Sequence, residues 1–303
     1  MNLPPERPGE LADALRTGRF AVTAEIAPPR GADVTGLRET ARLLRGWVDA
    51  ANVTDNQGAR VRMSSLAASV VLLAEGLAPV MQMTCRDRNR IALQSDLLAA
   101  GALGVPNVLL MTGDRPERGD HPDALGVYDL DSDELTVAAR ALRDDATLLS
   151  GEVVPTPPRY LIGAVDLGAG EPGRLVRKVA NGSEFVQTQF VFDVPAFAAW
   201  LARVRDLGLT RGCGILAGVG PIRSLRALDV MAALPGVVVP AELQRRLRGV
   251  PAHRVAEEGL AVCAETVAGL RELPDLAGIH VMAVAYERGV PEILTAAGLS
   301  RAA

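Results

Sequence analysis

The sequence predicts a single (β/α)8 TIM barrel, and three observations point there. Short apolar runs alternate with stretches of helical periodicity along most of the chain. Several of those runs end in polar or acidic residues, at the strand ends where parallel α/β folds gather their chemistry. No composition break divides the 303 residues, so one catalytic domain spanning 1–303 fits the pattern. The rival is an open doubly wound sheet, but no strand is followed by G-x-G-x-x-G or a P-loop.

Residues 1–10 carry three prolines and read as a loose tail. Leu11 to Leu15 reads as a short helix, and Arg19 to Ile26 as the first strand. Pro28 and Pro29 then forbid either a central strand or a helix from continuing. Leu37, Ala41 and Leu44 mark a helix over Val34–Trp47, and Asp49–Thr54 is strand-like, ending in Asp55-Asn56-Gln57-Gly58. Ser64 caps a helix running to about Glu75. Ala78–Thr84 is the third strand, and a helix covers about Ile91 to Gly101.

The fourth strand, Asn107–Met111, is too brief for a helix and breaks at Gly113, delivering Asp114. After the 115–131 loop a helix spans Ser132–Leu142, and Thr147–Arg159 is irregular, with three prolines. Tyr160–Val165 and Glu184–Gln189 are strands five and six, each followed by a helix, Glu171–Asn181 and then Pro195–Leu207 with proline in its first turn. Cys213–Ala217 is strand seven, followed by a helix over about Ile222–Leu234. A Pro-rich connection with one short helix covers 235–256, and Val255–Leu273 is helical. Gly278–Ala283 is strand eight, and the last helix spans Pro291–Ala297.

Composition narrows the function. With 49% hydrophobic and 22% charged residues the chain is globular rather than disordered. A net charge of −4, 3% aromatics and the lack of a basic run argue against a nucleic-acid partner. Three scattered cysteines without C-x-x-C suggest neither a zinc knuckle nor disulfides, and suit a reducing cytoplasm. No leader-like start and no bilayer-length apolar run are present, so a cytoplasmic location without a membrane partner is expected.

A closed barrel would bring Glu25, Thr54, Gln82, Thr84, Thr112, Asp114, Gln187, Gln189 and His280 to one mouth. The set has no histidine pair and no metal trio, and no G-x-S-x-G accompanies it, so metal and serine hydrolysis rank low. Carboxylates with amides and hydroxyls suit a flat, nitrogen-rich heterocycle, whose donors and acceptors Asp and Gln can meet in plane. Glu25 near the barrel axis would be partly desolvated and able to hold a proton. The alternatives are a Glu25 paired with Arg30 or another arginine, and an Asp114 that is an ordinary solvated turn residue.

These strand ends resemble the methylenetetrahydrofolate reductase family from about Arg19 to Leu299. The resemblance rests on Thr-Ala-Glu25-Ile-Ala-Pro-Pro-Arg, Asn-Val-Thr-Asp-Asn-Gln, Gln82-Met-Thr-Cys-Arg-Asp-Arg-Asn-Arg, Leu-Met-Thr-Gly-Asp114, Arg-Lys178-Val, Gln187-Thr-Gln189-Phe-Val-Phe-Asp193 and Gly-Ile-His280, in that order. The C-R-D-R-N-R version looks like the short, single-domain bacterial branch.

The resemblance implies FAD at the strand C-termini, NADH or NADPH as electron source, and reduction of methylenetetrahydrofolate to 5-methyltetrahydrofolate. It implies that Glu25 protonates folate N10, that Asp114 stabilises the iminium and tunes the flavin, and that Gln189 holds the pterin. Gln187, Met231 and Tyr286 join the substrate side. Thr54, Gln82, Thr112, Gly113, Asp114, Tyr128, Ala164, Arg177 and Lys178 join the flavin side, with Lys178 at the pyrophosphate.

The chain departs from the family pattern in several places. Gln82 stands where many relatives have His, Met231 where they often have Phe, and Tyr286 where they often have Arg. The segment from Ala164 to Pro172 is several residues shorter than in better-known bacterial relatives. Flavin-free hydride transfer in the same barrel, and a silent folate-binding subunit of a one-carbon complex, are the rival readings. A homo-oligomer or such a complex is the kind of assembly the resemblance allows.

Overall fold

The computed structural model describes residues 9–300. Most of the expected tail, residues 1–8, lies outside them, and the part inside is not loose, because helix α1 (Glu10–Thr17) already begins at Glu10.

Eight parallel strands close into a barrel in sequence order. They are β1 (Ala21–Ile26), β2 (Ala50–Val53), β3 (Pro79–Thr84), β4 (Asn107–Met111), β5 (Leu161–Asp166), β6 (Phe185–Phe190), β7 (Gly214–Val219) and β8 (Gly278–Val281). Closure pairs β1 with β8, Ala21 opposite Gly278 and Thr23 opposite His280. The helices outside are α2 (Thr35–Leu44), α3 (Ser65–Ala74), α4 (Arg90–Ala102), α5 (Ser132–Arg140), α6 (Gly173–Asn181), α7 (Val194–Asp206), α8 (Leu225–Ala232), α9 (Ala241–Gly249), α10 (Val255–Arg271) and α11 (Val290–Ala296). This is the (β/α)8 barrel the alternation predicted. Among the described residues, no helix is long and apolar enough to cross a membrane.

Strand alternation builds two cores. On β1, Val22, Ala24 and Ile26 join Leu37, Ala41 and Leu44 of α2 in the layer between strands and helices. The opposite face carries Ala21, Thr23 and Glu25 into the barrel. There Ala21 meets Leu109, Leu161, Phe185 and Leu216, and Leu11 and Leu15 of α1 close the floor. The first helix is therefore a plug, which fully buries both of its leucines or nearly so. Phe185 spans the axis because Gly163 on the neighbouring strand leaves room: a Cβ there would enter the aromatic ring.

Five of the helices, α3, α4, α5, α7 and α8, start at side-chain caps. Ser64 Oγ accepts from Ala67 N at 3.2 Å, and Asp131 with Glu134 forms a reciprocal box at the start of α5. Asp193 accepts from Ala196 N at 2.9 Å at the head of α7. Helix α8 begins at Leu225 rather than Ile222, because Ser224 takes the cap, accepting from Ala227 N at 3.0 Å. Ile222 instead packs with Phe190 and Phe192 beside the barrel mouth.

Candidate active site

A cleft of about 440 Å³ opens at the C-terminal ends of the strands. Its wall includes Glu25 from β1, Gln82 and Thr84 from β3, Gly113 and Asp114 after β4, Gln187 and Gln189 from β6, and His280 from β8. A groove of about 510 Å³ shares Gly113, Asp114, Arg174 and Lys178 with the cleft, and continues past Thr112 and Arg177 to the head of α5.

The floor of the cleft is a hydrogen-bonded layer. Asn52 Nδ2 donates to Gln187 Oε1 at 2.6 Å, and Gln187 Nε2 donates to Asn52 Oδ1 at 3.0 Å and to Thr23 Oγ1 at 3.1 Å. Thr23 Oγ1 lies 2.9 Å from His280 Nδ1. Burial pushes the imidazole down to about 3, so His280 is neutral at physiological pH. Both N–H groups of the Gln187 amide are used inside the barrel, which makes Gln187 a floor residue.

Glu25 stands above this layer, partly open to the cleft. Desolvation by the surrounding protein raises its carboxyl above the ordinary range, opposed by hydrogen bonds from Gln57 and Gln82 and reinforced by the charge of Glu287. Gln57 Nε2 donates to Glu25 Oε1 at 3.2 Å. The pairing with Arg30 weighed from the sequence does not form, because Arg30 is bonded to Asp120. Asp114 is an exposed residue of the turn after β4, and its Oδ2 accepts the Gly58 N–H at 3.0 Å. Its carbonyl accepts from Tyr128 Oη at 3.2 Å and Arg86 Nη1 at 3.4 Å. Gly113 has φ 92°, and a Cβ there would lie 2.8 Å from Thr84 Cβ, so only glycine makes this turn.

Gln189 Oε1 accepts from Phe190 N at 3.0 Å, and its amide NH2 has no protein partner among the described residues. Lys178 donates to the Val165 carbonyl and is partly buried, which lowers its pKa. Arg177 pairs with Asp133 at the groove's edge, at 3.4 Å. The Thr54 hydroxyl is buried without a hydrogen-bond partner among the described residues.

Five of the expected residues line neither cleft: Thr54, Tyr128, Ala164, Met231 and Tyr286. Ala164 turns toward the helix layer with Leu175, leaving Val165 to line the cleft. Met231 packs on α8 with Phe190, Leu228 and Val237. Tyr286 lies under the Arg223 guanidinium, 3.9 Å from the ring centroid.

Six polar cleft residues were not singled out from the sequence: Asp55, Arg86, Gln57 and Arg174, and also Asp166 and Thr188. Asp55 accepts from Thr84 N at 2.8 Å and pairs with Arg88. Arg86 is clasped by Asp87 at 2.7 Å through two nitrogens. Gln57 is the third. Arg174, the fourth, faces both clefts one helical turn before Lys178, and the i, i+4 spacing of α6 could have revealed it.

The family model described as Methylenetetrahydrofolate reductase matches residues 10–298 of this chain. A Schizosaccharomyces pombe protein named Methylenetetrahydrofolate reductase 2 is 24% identical over 96% of this chain, which spans 47% of that protein's length. A Pectobacterium carotovorum protein named 5,10-methylenetetrahydrofolate reductase is 26% identical over 74% of this chain and 71% of its own. Among solved structures, an uncharacterised Clostridium thermocellum protein that binds two copies of 5-methyl-5,6,7,8-tetrahydrofolic acid superposes with a TM-score of 0.64. It is 14% identical, covering 95% of this chain and 97% of that one, so the likeness is one of fold.

Proposed function

The chain belongs to the methylenetetrahydrofolate reductase family, and we propose that it reduces 5,10-methylenetetrahydrofolate to 5-methyltetrahydrofolate, using bound FAD and NADH or NADPH. One catalytic domain, residues 1–303, would carry the reaction. The observation that carries this reading is Glu25, a carboxyl whose pKa desolvation raises, at the mouth of a barrel whose adjoining groove brings Arg174, Arg177 and Lys178 together with Asp114, Asp131 and Asp133.

The residues present fit a flavin dinucleotide. Gly113 lets backbone approach a flat ring closely, and Thr54, just below the cleft wall at the end of β2, keeps a buried hydroxyl without a partner among the described residues. Arg174 and Lys178 line the groove, and a lysine whose charge is disfavoured by burial gains from an anion beside it. Lys178, Arg174 and Arg177 would hold the diphosphate, and Thr112, Gly113, Tyr128 and Gln82 would lie along the rest. Ala164 could contribute only backbone. Bound there, FAD would supply a hydride relay between nicotinamide and folate.

The chain's own residues then do the following. Glu25 gives its proton to folate N10, a weakly basic aryl nitrogen, and so opens the five-membered ring to an iminium. Asp114 faces the same cleft and offsets the positive charge that develops. Gln189 uses its free amide N–H groups to orient the pterin, and Gln187 beneath keeps the floor rigid. Met231 backs the Phe190–Phe192 wall, and Tyr286 with Arg223 frames the rim.

Turnover of methylenetetrahydrofolate by the purified protein with NADH or NADPH tests this, read together with its visible spectrum. Turnover with a bound-flavin spectrum is expected. No turnover with either donor would leave a folate-binding protein, and turnover without flavin would mean direct hydride transfer.

A further inference from the structure

The turn after β2 touches both site carboxylates. Gln57 donates its side-chain amide to Glu25 at 3.2 Å, and the next residue, Gly58, gives its backbone N–H to Asp114 at 3.0 Å. The turn holds a conformation that chain preferences disfavour, with φ of 48° at Asn56, 67° at Gly58 and 55° at Ala59. Two of these residues are not glycine, and left-handed backbone of that kind persists only where its surroundings enforce it.

The enforcement is visible on both sides of Gln57. Before it, Asp55 is tied to β3 through Thr84 N at 2.8 Å, and Asn56 Oδ1 accepts from Arg62 N at 2.9 Å. After it, the Ala59 carbonyl packs against Gly119, where no Cβ would fit. The backbone of the turn is thus fixed independently of Gln57's own side chain. That side chain is exposed apart from its contact with Glu25, so no packing explains its reach toward β1.

We propose that Gln57 is a positioning residue for Glu25, fixing the orientation of its carboxyl through a turn anchored on the Asp114 side. This rests on the reading of Glu25 as the acid of the folate step. An amide N–H facing a carboxyl oxygen stabilises the ionised form more than the neutral one. Gln57 therefore opposes the desolvation that raises Glu25, and keeps the proton transferable rather than locked on the acid. Gln82 is a second hydrogen-bond partner, and Glu287 pushes the other way by like charge. Asp55 and Arg86 face the same cleft but are already paired, with Arg88 and Asp87. His280 below is neutral, while Arg174 and Lys178 line the side of the cleft that opens into the groove.

The test is the pH dependence of kcat/KM for methylenetetrahydrofolate in the intact enzyme, with Gln57→Leu and Gln57→Asn beside Glu25→Gln. Leucine removes the donor, and asparagine keeps an amide one methylene too short to reach. Both changes should move the alkaline limb upward by about half to one pH unit, because Glu25 then keeps its proton longer. A purely structural role would lower the rate of both variants and leave the limb in place, and that result overturns the proposal. If Glu25→Gln abolishes activity while neither Gln57 variant shifts the limb, only this proposal fails. If Glu25→Gln keeps wild-type rate and limb, the reading of Glu25 as acid fails and takes this one with it.

Discussion

Asn52 and Gln187, on β2 and β6, exchange two hydrogen bonds through their side-chain amides at 2.6 and 3.0 Å across the barrel interior. Three strands lie between them on either side of the barrel, so the pair works as a strut under the reaction site. Gln187→Leu would strand the buried Asn52 amide, at a cost of about 1–3 kcal/mol. Replacing both with apolar residues should cost less than the single change. Urea unfolding of the three variants checks this, and a double variant weaker than Gln187→Leu would refute the strut.

Glu25→Gln should separate the half-reactions. It keeps the volume and removes the transferable proton, which should slow the folate step on the order of 10²–10⁴-fold. Flavin reduction by NAD(P)H needs no such proton and should stay near the wild-type rate. Stopped-flow traces of the two steps decide, and equal losses in both would make Glu25 structural.

The same substitution should stabilise the fold at neutral pH. The native state binds the Glu25 proton more tightly than the unfolded chain does, because burial raises its pKa. Stability from this group is therefore complete below the unfolded value of about 4.3 and is lost as pH rises through the native value. Glu25→Gln should melt higher than wild type at pH ~8 and close to it at pH ~4. A gap independent of pH would mean that the carboxyl is not desolvated.

Lys178→Ala should weaken flavin retention by about 1.5–3 kcal/mol, the range for a hydrogen bond to a charged group. Arg174→Ala should fall in the same direction, since this cation faces both clefts without an ion-pair partner among the described residues. Arg177 is largely exposed and already paired with Asp133, so Arg177→Ala should cost less. Flavin fluorescence titration ranks the three, and an unaffected Lys178→Ala would move the diphosphate elsewhere.

Gly163→Ala tests the packing of the lower barrel. Its methyl group would invade the Phe185 ring, which should cost about 1–3 kcal/mol as overpacking. Phe185→Ala should cost about 3–5 kcal/mol by leaving a cavity. The double variant should recover part of the overpacking loss, and thermal melts showing strict additivity would argue that the two side chains do not share the space.

The strands were legible because their apolar runs end in polar residues, and Glu25, Gln82, Asp114 and Gln189 were legible for the same reason. Period-two alternation also implies that Ala164 turns away once Val165 faces inward, though the family resemblance pointed to Ala164. What the sequence hid depends on closure. Nothing local tells that Leu11 and Leu15 plug a barrel, or that Gln57 rather than Asn56 reaches Glu25, because both facts require distant strands to be in place. Gln187 looked like a ligand group for the same reason, since its partner Asn52 lies 135 positions away.

Barrel closure also sets the order in which this chain can be completed. Thr23 and His280 touch although 257 positions separate them, and the α1 plug rests on Leu216 of β7. As the polypeptide leaves the ribosome, β1 keeps one edge unpaired until β8, the last strand, has been synthesised. Contacts of such high sequence separation slow folding, and open strand edges invite aggregation meanwhile. The polar groups that will form the reaction site stay hydrated through that interval, and the apolar floor has no lid until β7 arrives. Production of this protein should therefore respond to chaperone supply and lower growth temperature more than its finished, edgeless sheet would suggest.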